Sequence, residues 1–260
     1  MHVLSVGGAG AEWAIETLAS TLGERGRVAR LTRQAQGVSA PDHTNVTLDT
    51  TGTWRATGNG GGGERWADRL TADHDYLLLS GTASPRWPRL VATDHEVRGD
   101  LLPEPVARDR FDPSIVVDRL EDGEPYETRE SLIRRAEASP DSKQAGAIAT
   151  FTGRVRAKDA PDDEETEYLE FEKYAGVANK RLRELETELK ARDGVFEVLL
   201  HHRTGVIEAE EDIVFVVVLA GHREEAFRTV EDGINRLKAE VPIFKKEVTV
   251  GEEYWVHTRP

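Results

Sequence analysis

The sequence of 260 residues contains no cysteine. Such a chain cannot form disulfides, thiolate metal sites or iron–sulfur clusters, and it has no cysteine nucleophile. It also has no apolar run of about 18 residues, so no membrane-spanning segment is predicted. No basic region followed by a long apolar core opens the chain, and these absences together predict a cytoplasmic protein. A hydrophobic fraction of 38% is sufficient for packed cores and argues against wholesale disorder.

The chain also has fewer basic than acidic residues. The chain has 34 Lys and Arg against 48 Asp and Glu, a formal net charge of −14, which disfavours partners such as nucleic acid or an anionic membrane surface. Only eight of the 34 are lysine. An acidic, lysine-poor composition is typical of a halophilic protein, because concentrated salt screens its self-repulsion. The alternative is an ordinary acidic protein from a GC-rich genome.

Lysine is absent from the first 142 residues, and this asymmetry suggests two domains. The pattern of residues 1–97 predicts an α/β domain, since an apolar strand, a glycine turn, a helix and a second strand follow one another. The turn runs from Gly7 to Gly10 and resembles a P-loop, but it lacks the lysine and hydroxyl that bind phosphate and Mg²⁺. A dinucleotide-binding motif is equally incomplete, because Trp13 occupies the place of its third glycine. We therefore expect a degenerate P-loop-like domain with a tight β–α turn.

Residues 98–113 are rich in proline and charge and are interpreted as a linker. Residues 114–260 alternate between strand and helix patterns that predict an α+β domain. Its predicted strands are 115–117, 146–156, 168–174, 195–207, 212–220, 244–250 and 254–257. Its predicted helices are 127–138, 177–192 and 224–239, and the last is expected to bury Phe227 together with Val230, Ile234 and Leu237.

Cationic side chains recur at three places in this second domain. His222 and Arg223 lie at a strand-to-helix junction, where backbone N–H groups favour an anion. Arg154 and Arg156 end a strand on the same face and suit a phosphate or carboxylate. Lys238, Lys245 and Lys246 place three of the eight lysines within nine residues. Together they predict an anion pocket, in which clustered cations lower one another's pKa and free an amine for catalysis.

Each group also has a purely structural alternative. Helix capping explains Lys238 and His222, and a solvated strand edge explains Lys245 and Lys246. No metal cluster is predicted, because the adjacent His201 and His202 point to opposite faces of a strand. No Ser–His–Asp arrangement is evident from spacing.

Four stretches, followed by an aromatic close, give residues 114–260 a specific resemblance to a known family. These are GAIATFTGRVR (146–156), LEFEKYAGVANK (169–180), HHRTGVIEAEEDIVFVVVLAGHREEAF (201–227), RLKAEVPIFKKE (236–247) and EYWV (253–256). They resemble the MoaE family, the large catalytic subunits of molybdopterin synthase. The resemblance implies an α/β-hammerhead fold and an enzyme that needs no cofactor.

The resemblance also implies a reaction and partners. Family members convert cyclic pyranopterin monophosphate into molybdopterin, the dithiolene of the molybdenum cofactor. Two sulfurs come from a small ubiquitin-like carrier, a MoaD-like protein with a C-terminal Gly-Gly thiocarboxylate. The large subunit is a homodimer, which forms a heterotetramer with two carriers.

The same resemblance implies site residues. Lys238 and Lys245 match the two family lysines tied to activity. Substrate contacts are expected from these two and from a further set of residues, namely Arg154, Val155, Arg156, His222, Arg223, Lys246 and Glu247. An adaptor that docks the carrier without chemistry is the alternative, although it would not need both lysines.

The first domain resembles the MobB family of GTP-binding accessory proteins of molybdenum cofactor assembly. The resemblance is carried by its strand–glycine turn–helix opening and by DYLLLSGTASPRWPRL (75–90). It implies an accessory scaffold, and the missing P-loop lysine predicts that the domain does not hydrolyse nucleotide. A nucleotide-dependent switch is the third hypothesis, and nucleotide titration distinguishes it.

Overall fold

A computed structural model describes residues 1–33, 45–48, 54–57, 63–81, 86–158, 160, 164–249 and 253–256. The chain divides into two compact units, Met1–Tyr126 and Glu127–Pro260. None of the described helices has the length and apolar character to span a membrane.

Unit 1 is built around a mixed sheet whose strands are ordered β2-β5-β1-β6-β7-β8. The first four of these pair in parallel and the last two are antiparallel. This sheet is compatible with the predicted α/β domain. The described elements are β1 (His2–Gly7), α1 (Ala11–Gly23), β2 (Val28–Thr32), β3 (Asn45–Leu48), β4 (Trp54–Thr57), α2 (Gly63–Leu70), β5 (Tyr76–Ser80), β6 (Arg89–Ala92), β7 (Glu96–Gly99), β8 (Val106–Ala107) and α3 (Pro113–Asp122).

The glycine turn between β1 and α1 packs directly against protein backbone. Gly8 has φ +92, and a Cβ there would lie 2.2 Å from the carbonyl oxygen of Ala92. The N–H of Gly10 donates to that same carbonyl at 2.9 Å. Only glycine tolerates both the positive φ and the close approach. The Ala92 carbonyl thus accepts a hydrogen bond from the Gly10 N–H, a group that a P-loop would direct at phosphate.

Residues 98–113, predicted as a linker, and residues 115–117, predicted as a strand, form other secondary structure. Residues 98–113 contain the end of β7, then β8 and a short 3₁₀ helix, all within unit 1. The predicted strand at 115–117 is wrong, because Asp112 caps α3 by accepting the N–H of Ser114 at 2.9 Å. Val116 and Val117 are fully buried against α1 and β1. The two units divide at residues 126 and 127 instead of at 114.

Unit 2 is an α+β arrangement, as predicted, with two antiparallel sheets. One has the order β11-β13-β9 and the other has the order β12-β10-β14-β15. The elements are α4 (Arg129–Glu137), β9 (Ala147–Arg154), β10 (Thr166–Lys173), α5 (Ala175–Lys190), β11 (Val195–His202), β12 (Gly205–Glu208), β13 (Asp212–Ala220), α6 (Arg223–Glu240), β14 (Ile243–Thr249) and β15 (Glu253–Val256).

Three hydrophobic clusters hold unit 2 together. Helices α5 and α6 cover one face of the three-stranded sheet, and α4 covers the other. A third cluster, formed by Val155, Leu169, Phe171, Ile207 and Ile213, packs between the second sheet and the ends of β9 and β13. We call it the hinge cluster, because it joins the two sheets beneath β14.

Two sequence predictions for unit 2 need correction. The single strand predicted at 195–207 is two strands, because the chain turns before Gly205, which has φ +81, and β12 joins the second sheet. Phe227 was expected to be buried, but it is 65% exposed. The buried stripe of α6 runs through Ala226, Ile234 and Leu237, and Phe227 lies about 100° away from Ala226 around the helix.

Candidate active site

The lysine-rich segment forms strand β14, which distributes its charges over both faces of the sheet. Lys245 pairs with Phe171 and Glu247 pairs with Leu169, so both follow the face that covers the hinge cluster. Lys246 pairs with Glu170 on the opposite face, and its Nζ lies 3.6 Å from a carboxylate oxygen of Glu170. The structure therefore separates Lys246 from Lys245.

Lys245 and Glu247 form a partly shielded ion pair. The Lys245 Nζ is 3.5 Å from Glu247 Oε2, and the side chains are 36% and 15% exposed. The other oxygen, Oε1, accepts a hydrogen bond from the Thr166 hydroxyl at 2.8 Å. The carboxylate is thus fixed, while the ammonium group keeps an open side from which a substrate can approach.

The segment from Arg154 to Arg156 meets β14 at the hinge cluster. Val155 is 2% exposed within this cluster, and its N–H donates to the Glu211 carbonyl at 2.9 Å. The Val155 side chain is therefore a core residue, and the prediction that it contacts substrate is not supported for that side chain. Arg154 and Arg156 flank it and are exposed. Arg154 Nε lies 3.1 Å from Asp212 Oδ1.

Lys238 lies shortly before β14 in the chain. It is exposed in the last turn of α6, and the chain then runs through Val241 and Pro242 directly into β14. Two arginines secure this helix end, because Glu240 accepts hydrogen bonds from Arg236, at 2.7 Å, and from Arg181 of α5. These arginines lower the pKa of Glu240 to about 2. The end of α6 is thus tied to α5.

His222 and Arg223 lie at the opposite end of α6. Lys238 follows Arg223 by 15 residues, which corresponds to about 22 Å along a helix. Both residues line an open cleft of about 630 Å³ together with Gly146, Gly221 and Glu225. One chain therefore presents two separate clusters of predicted site residues, and two glutamates, Glu224 and Glu225, line the second. The predicted anion pocket does not close within a single chain.

Sequence reasoning missed two groups that the structure places around these clusters. One is Thr166, which holds Glu247, and the other is the Arg181–Glu240–Arg236 contact at the end of α6. Neither carries a signal in the sequence, since Thr166 and Glu247 are 81 residues apart and Arg181 and Glu240 are 59 apart. Such partners become neighbours only through strand register and helix packing.

The adjacent histidines of β11 point to opposite faces of the sheet, as predicted. His201 stacks on Phe215, and His202 meets Phe171 edge-on and has its Nδ1 2.7 Å from the Arg203 carbonyl. Burial lowers the pKa of His201 to about 3 and that of His202 to about 4. Among the residues that the structure describes, no three His, Asp or Glu side chains are grouped to hold a metal ion.

These histidines predict an acid-sensitive unit 2. The unfolded chain takes up their protons near pH 6.5, whereas the folded chain does so only near pH 3 to 4. The contribution of these neutral histidines to the free energy of unfolding is therefore fully present above about pH 6.5. It falls as the pH drops towards 4, by up to about 1.4 kcal/mol per pH unit for each histidine. Urea unfolding between pH 4 and 8 measures this slope. The slope should become about half as steep in His202→Gln, which keeps His201, and should be unchanged in His222→Gln, an exposed control. An unchanged slope in His202→Gln would contradict the prediction.

Comparison with known proteins decides the family. The family described as MoaE protein matches residues 123–240. A protein of Haloferax volcanii named "Probable molybdopterin synthase" is 47% identical over 264 residues, which cover 100% of both chains. The chain belongs to the MoaE family. The molybdopterin synthase catalytic subunit of Pyrococcus abyssi is 34% identical over 48% of this chain and 82% of its own.

A solved molybdopterin synthase structure from Staphylococcus aureus is 32% identical, with a TM-score of 0.45, and the match covers 52% of this chain and 93% of that chain. The family match and the Haloferax volcanii relative confirm the MoaE resemblance of the second part at the level of family membership. The chain is an enzyme of molybdenum cofactor biosynthesis, as its relatives' names indicate. The Haloferax volcanii relative matches the whole chain, so it shares the region that precedes the MoaE match.

Proposed function

We propose that this MoaE member converts cyclic pyranopterin monophosphate into the molybdopterin dithiolene, with sulfur from the C-terminal thiocarboxylate of a small ubiquitin-like carrier. The observation that carries the proposal is the placement of these cations in the fold: Lys245 lies on the face of β14 that covers the hinge cluster, Arg154 and Arg156 flank Val155 of that cluster, and Lys238 lies in the last turn of α6 before β14. A phosphorylated substrate and an anionic tail both require fixed cations in a partly desolvated site. Water supplies the oxygen that replaces each transferred sulfur, so each tail ends as a carboxylate and one product consumes two carriers.

We assign Lys238 to the thiocarboxylate and Lys245 to proton transfer on the pterin side chain. Lys238 is exposed at a helix end, where it is open to an incoming tail. Lys245 lies beside a fixed carboxylate, which orients its ammonium group. Arg154 and Arg156 supply donors for the phosphate. Lys246 supports the site by holding β14 to β10 through Glu170.

The separation of the two clusters of site residues supports the homodimer. Because His222 and Arg223 lie about 22 Å along α6 from Lys238, they reach the same substrate only if they come from another copy. A twofold dimer, the commonest protein symmetry, forms two such composite sites. In this proposal each substrate is held by the lysines of one chain and the His222–Arg223 pair of its partner.

Mixed dimers provide the test of a composite site. Lys245→Ala and His222→Ala chains should each lose most activity, whereas coexpression of the two should restore about a quarter of it, because half of random dimers are mixed and each has one intact site. Light scattering measures the dimer, and the conversion assay measures recovery. A dimer without any recovery would contradict the composite site. A coexpressed pair of Lys245→Ala and Lys238→Ala, which damages the same cluster twice, is the control and should show no recovery.

Reconstituted conversion tests the proposed function. The full chain, in concentrated salt, is mixed with the pterin precursor and a thiocarboxylated Gly-Gly carrier, and the dithiolene is detected as its fluorescent oxidised derivative. We expect product that depends on the thiocarboxylate. Carrier binding without product would instead favour the adaptor hypothesis. Higher activity and stability in concentrated salt would support the predicted halophilic character.

For unit 1 we propose an accessory scaffold related to MobB proteins that does not hydrolyse nucleotide. The packing of the glycine turn against Ala92 supports this, since the N–H of Gly10 is already used. The absence of a P-loop lysine from the sequence points the same way. Calorimetric titration with GTP and Mg²⁺ is expected to show no binding below millimolar concentrations.

A further inference from the structure

An irregularity in the pairing of β10 with β14 brings a buried hydroxyl to Glu247, the ion-pair partner of Lys245. From Tyr168 to Lys173 the register is regular, and Tyr168 opposes Val248. Thr166, two residues earlier, opposes Thr249, only one residue further along β14. One residue of β10, Glu167, is therefore extra, which is the signature of a β-bulge.

The bulge changes the face on which Thr166 lies. In a regular strand Thr166 would share the face of Tyr168 and Glu170, on which Lys246 lies. The extra residue reverses the alternation and turns Thr166 towards the face of Lys245 and Glu247. The hydrogen bond of 2.8 Å from the Thr166 hydroxyl to Glu247 Oε1 demonstrates this orientation. Bulges beside functional sites commonly re-aim a side chain in this way.

Backbone contacts on both sides hold the bulge in place. The N–H of Thr166 donates to the Ala157 carbonyl at 2.8 Å, next to Arg156. The carbonyl of Glu167 accepts the N–H of Ala209 at 3.0 Å. Thr166 is 5% exposed, so water does not compete freely for its hydroxyl. The threonine is thus a rigid donor, and a bond to a carboxylate is stronger than one between neutral groups.

We propose that Thr166 is a positioning residue for sulfur transfer, which acts through Glu247 to fix the ammonium group of Lys245. The hydroxyl holds Oε1, which restrains rotation of the carboxylate and directs Oε2 towards Lys245 Nζ, 3.5 Å away. The proposal rests on the proposed function, in which Lys245 transfers protons on the pterin. Without the hydroxyl, Glu247 gains rotational freedom and Lys245 loses its fixed direction.

The test replaces the hydroxyl while the shape of the side chain is kept. In the conversion assay with the full chain, Thr166→Val should lower kcat roughly 10- to 100-fold, the scale expected when a reactive group is misplaced by about 1 Å. KM for the precursor and for the carrier should stay within about twofold of wild type, because neither binds Thr166. Thr166→Ser keeps the hydroxyl and should restore kcat. Thr187→Val removes an exposed hydroxyl from α5 and serves as the control.

A double variant tests whether Thr166 affects kcat through Glu247. If Thr166 acts through Glu247, Thr166→Val should cause no further loss in a Glu247→Ala chain. Wild-type kcat in Thr166→Val, or equal losses in the Val and Ser variants, would overturn the positioning role while Lys245→Ala remains inactive. Full activity of Lys245→Ala would overturn the proposed function itself, so the two failures are distinguishable.

Discussion

Replacement of Lys245 by alanine is expected to reduce turnover of the pterin precursor by about 10²- to 10⁴-fold, the range for loss of a general acid or base. The structure offers a reason for so large an effect. The ammonium group is held beside Glu247 on the face of β14 that covers the hinge cluster, and Lys246 points to the other face. The neighbouring lysine therefore cannot substitute for it. Lys238→Ala should be similarly impaired, because it removes the cation assigned to the thiocarboxylate.

The same assay distinguishes these lysines from the remaining positive charge. Lys180→Ala removes an exposed cation from α5 whose Nζ lies 3.9 Å from Glu184, and it should leave kcat and KM unchanged. Lys246→Ala should have an intermediate effect, because it loosens β14 without removing a reacting group. Equal losses in Lys180→Ala and Lys245→Ala would show that general electrostatic attraction, rather than a defined site, accounts for the activity.

The sequence identified the regular elements of unit 2 because its periodicities are strong. The amphipathic stripe of α6 and the apolar run of β13 match the helix and strand periods closely. The sequence pattern was misleading where a helix-capping residue and a proline begin a helix within a short run of β-branched residues. Val116 and Val117 suggested a strand, but the Asp112 cap and Pro113 at the first helical position begin a helix there.

The candidate site was only partly accessible from the sequence, for a geometric reason. Lys238 and Lys245 were recognisable because both lie within one short segment of a lysine-poor chain. The role proposed for Thr166 depends on a bulge, and a shift of one residue reverses every side chain of a strand. The separation of His222 from Lys238, by contrast, already followed from the helix predicted at 224–239 and the rise of about 1.5 Å per residue. Patterns of residue type do not carry strand register.

The largest expected loss of stability comes from Phe215→Ala. Phe215 is 1% exposed on β13, in the cluster that α4 covers. Its ring stacks on His201 with centroids 6.3 Å apart, and the guanidinium of Arg203 lies 5.4 Å from its centroid. Truncation removes these contacts and leaves a cavity that the surrounding strands cannot close. We expect the free energy of unfolding of unit 2 to fall by about 3–5 kcal/mol.

Phe227→Ala is the matched control, because it deletes the same atoms from a side chain that is 65% exposed on α6. Its expected effect on the free energy of unfolding is within about 0.5 kcal/mol. Urea unfolding, followed by circular dichroism at one pH, measures both variants. The comparison also tests the corrected orientation of α6, since the sequence pattern alone predicted that Phe227 was buried. If Phe227→Ala were the more damaging of the two, the helix face assigned to the core would be wrong.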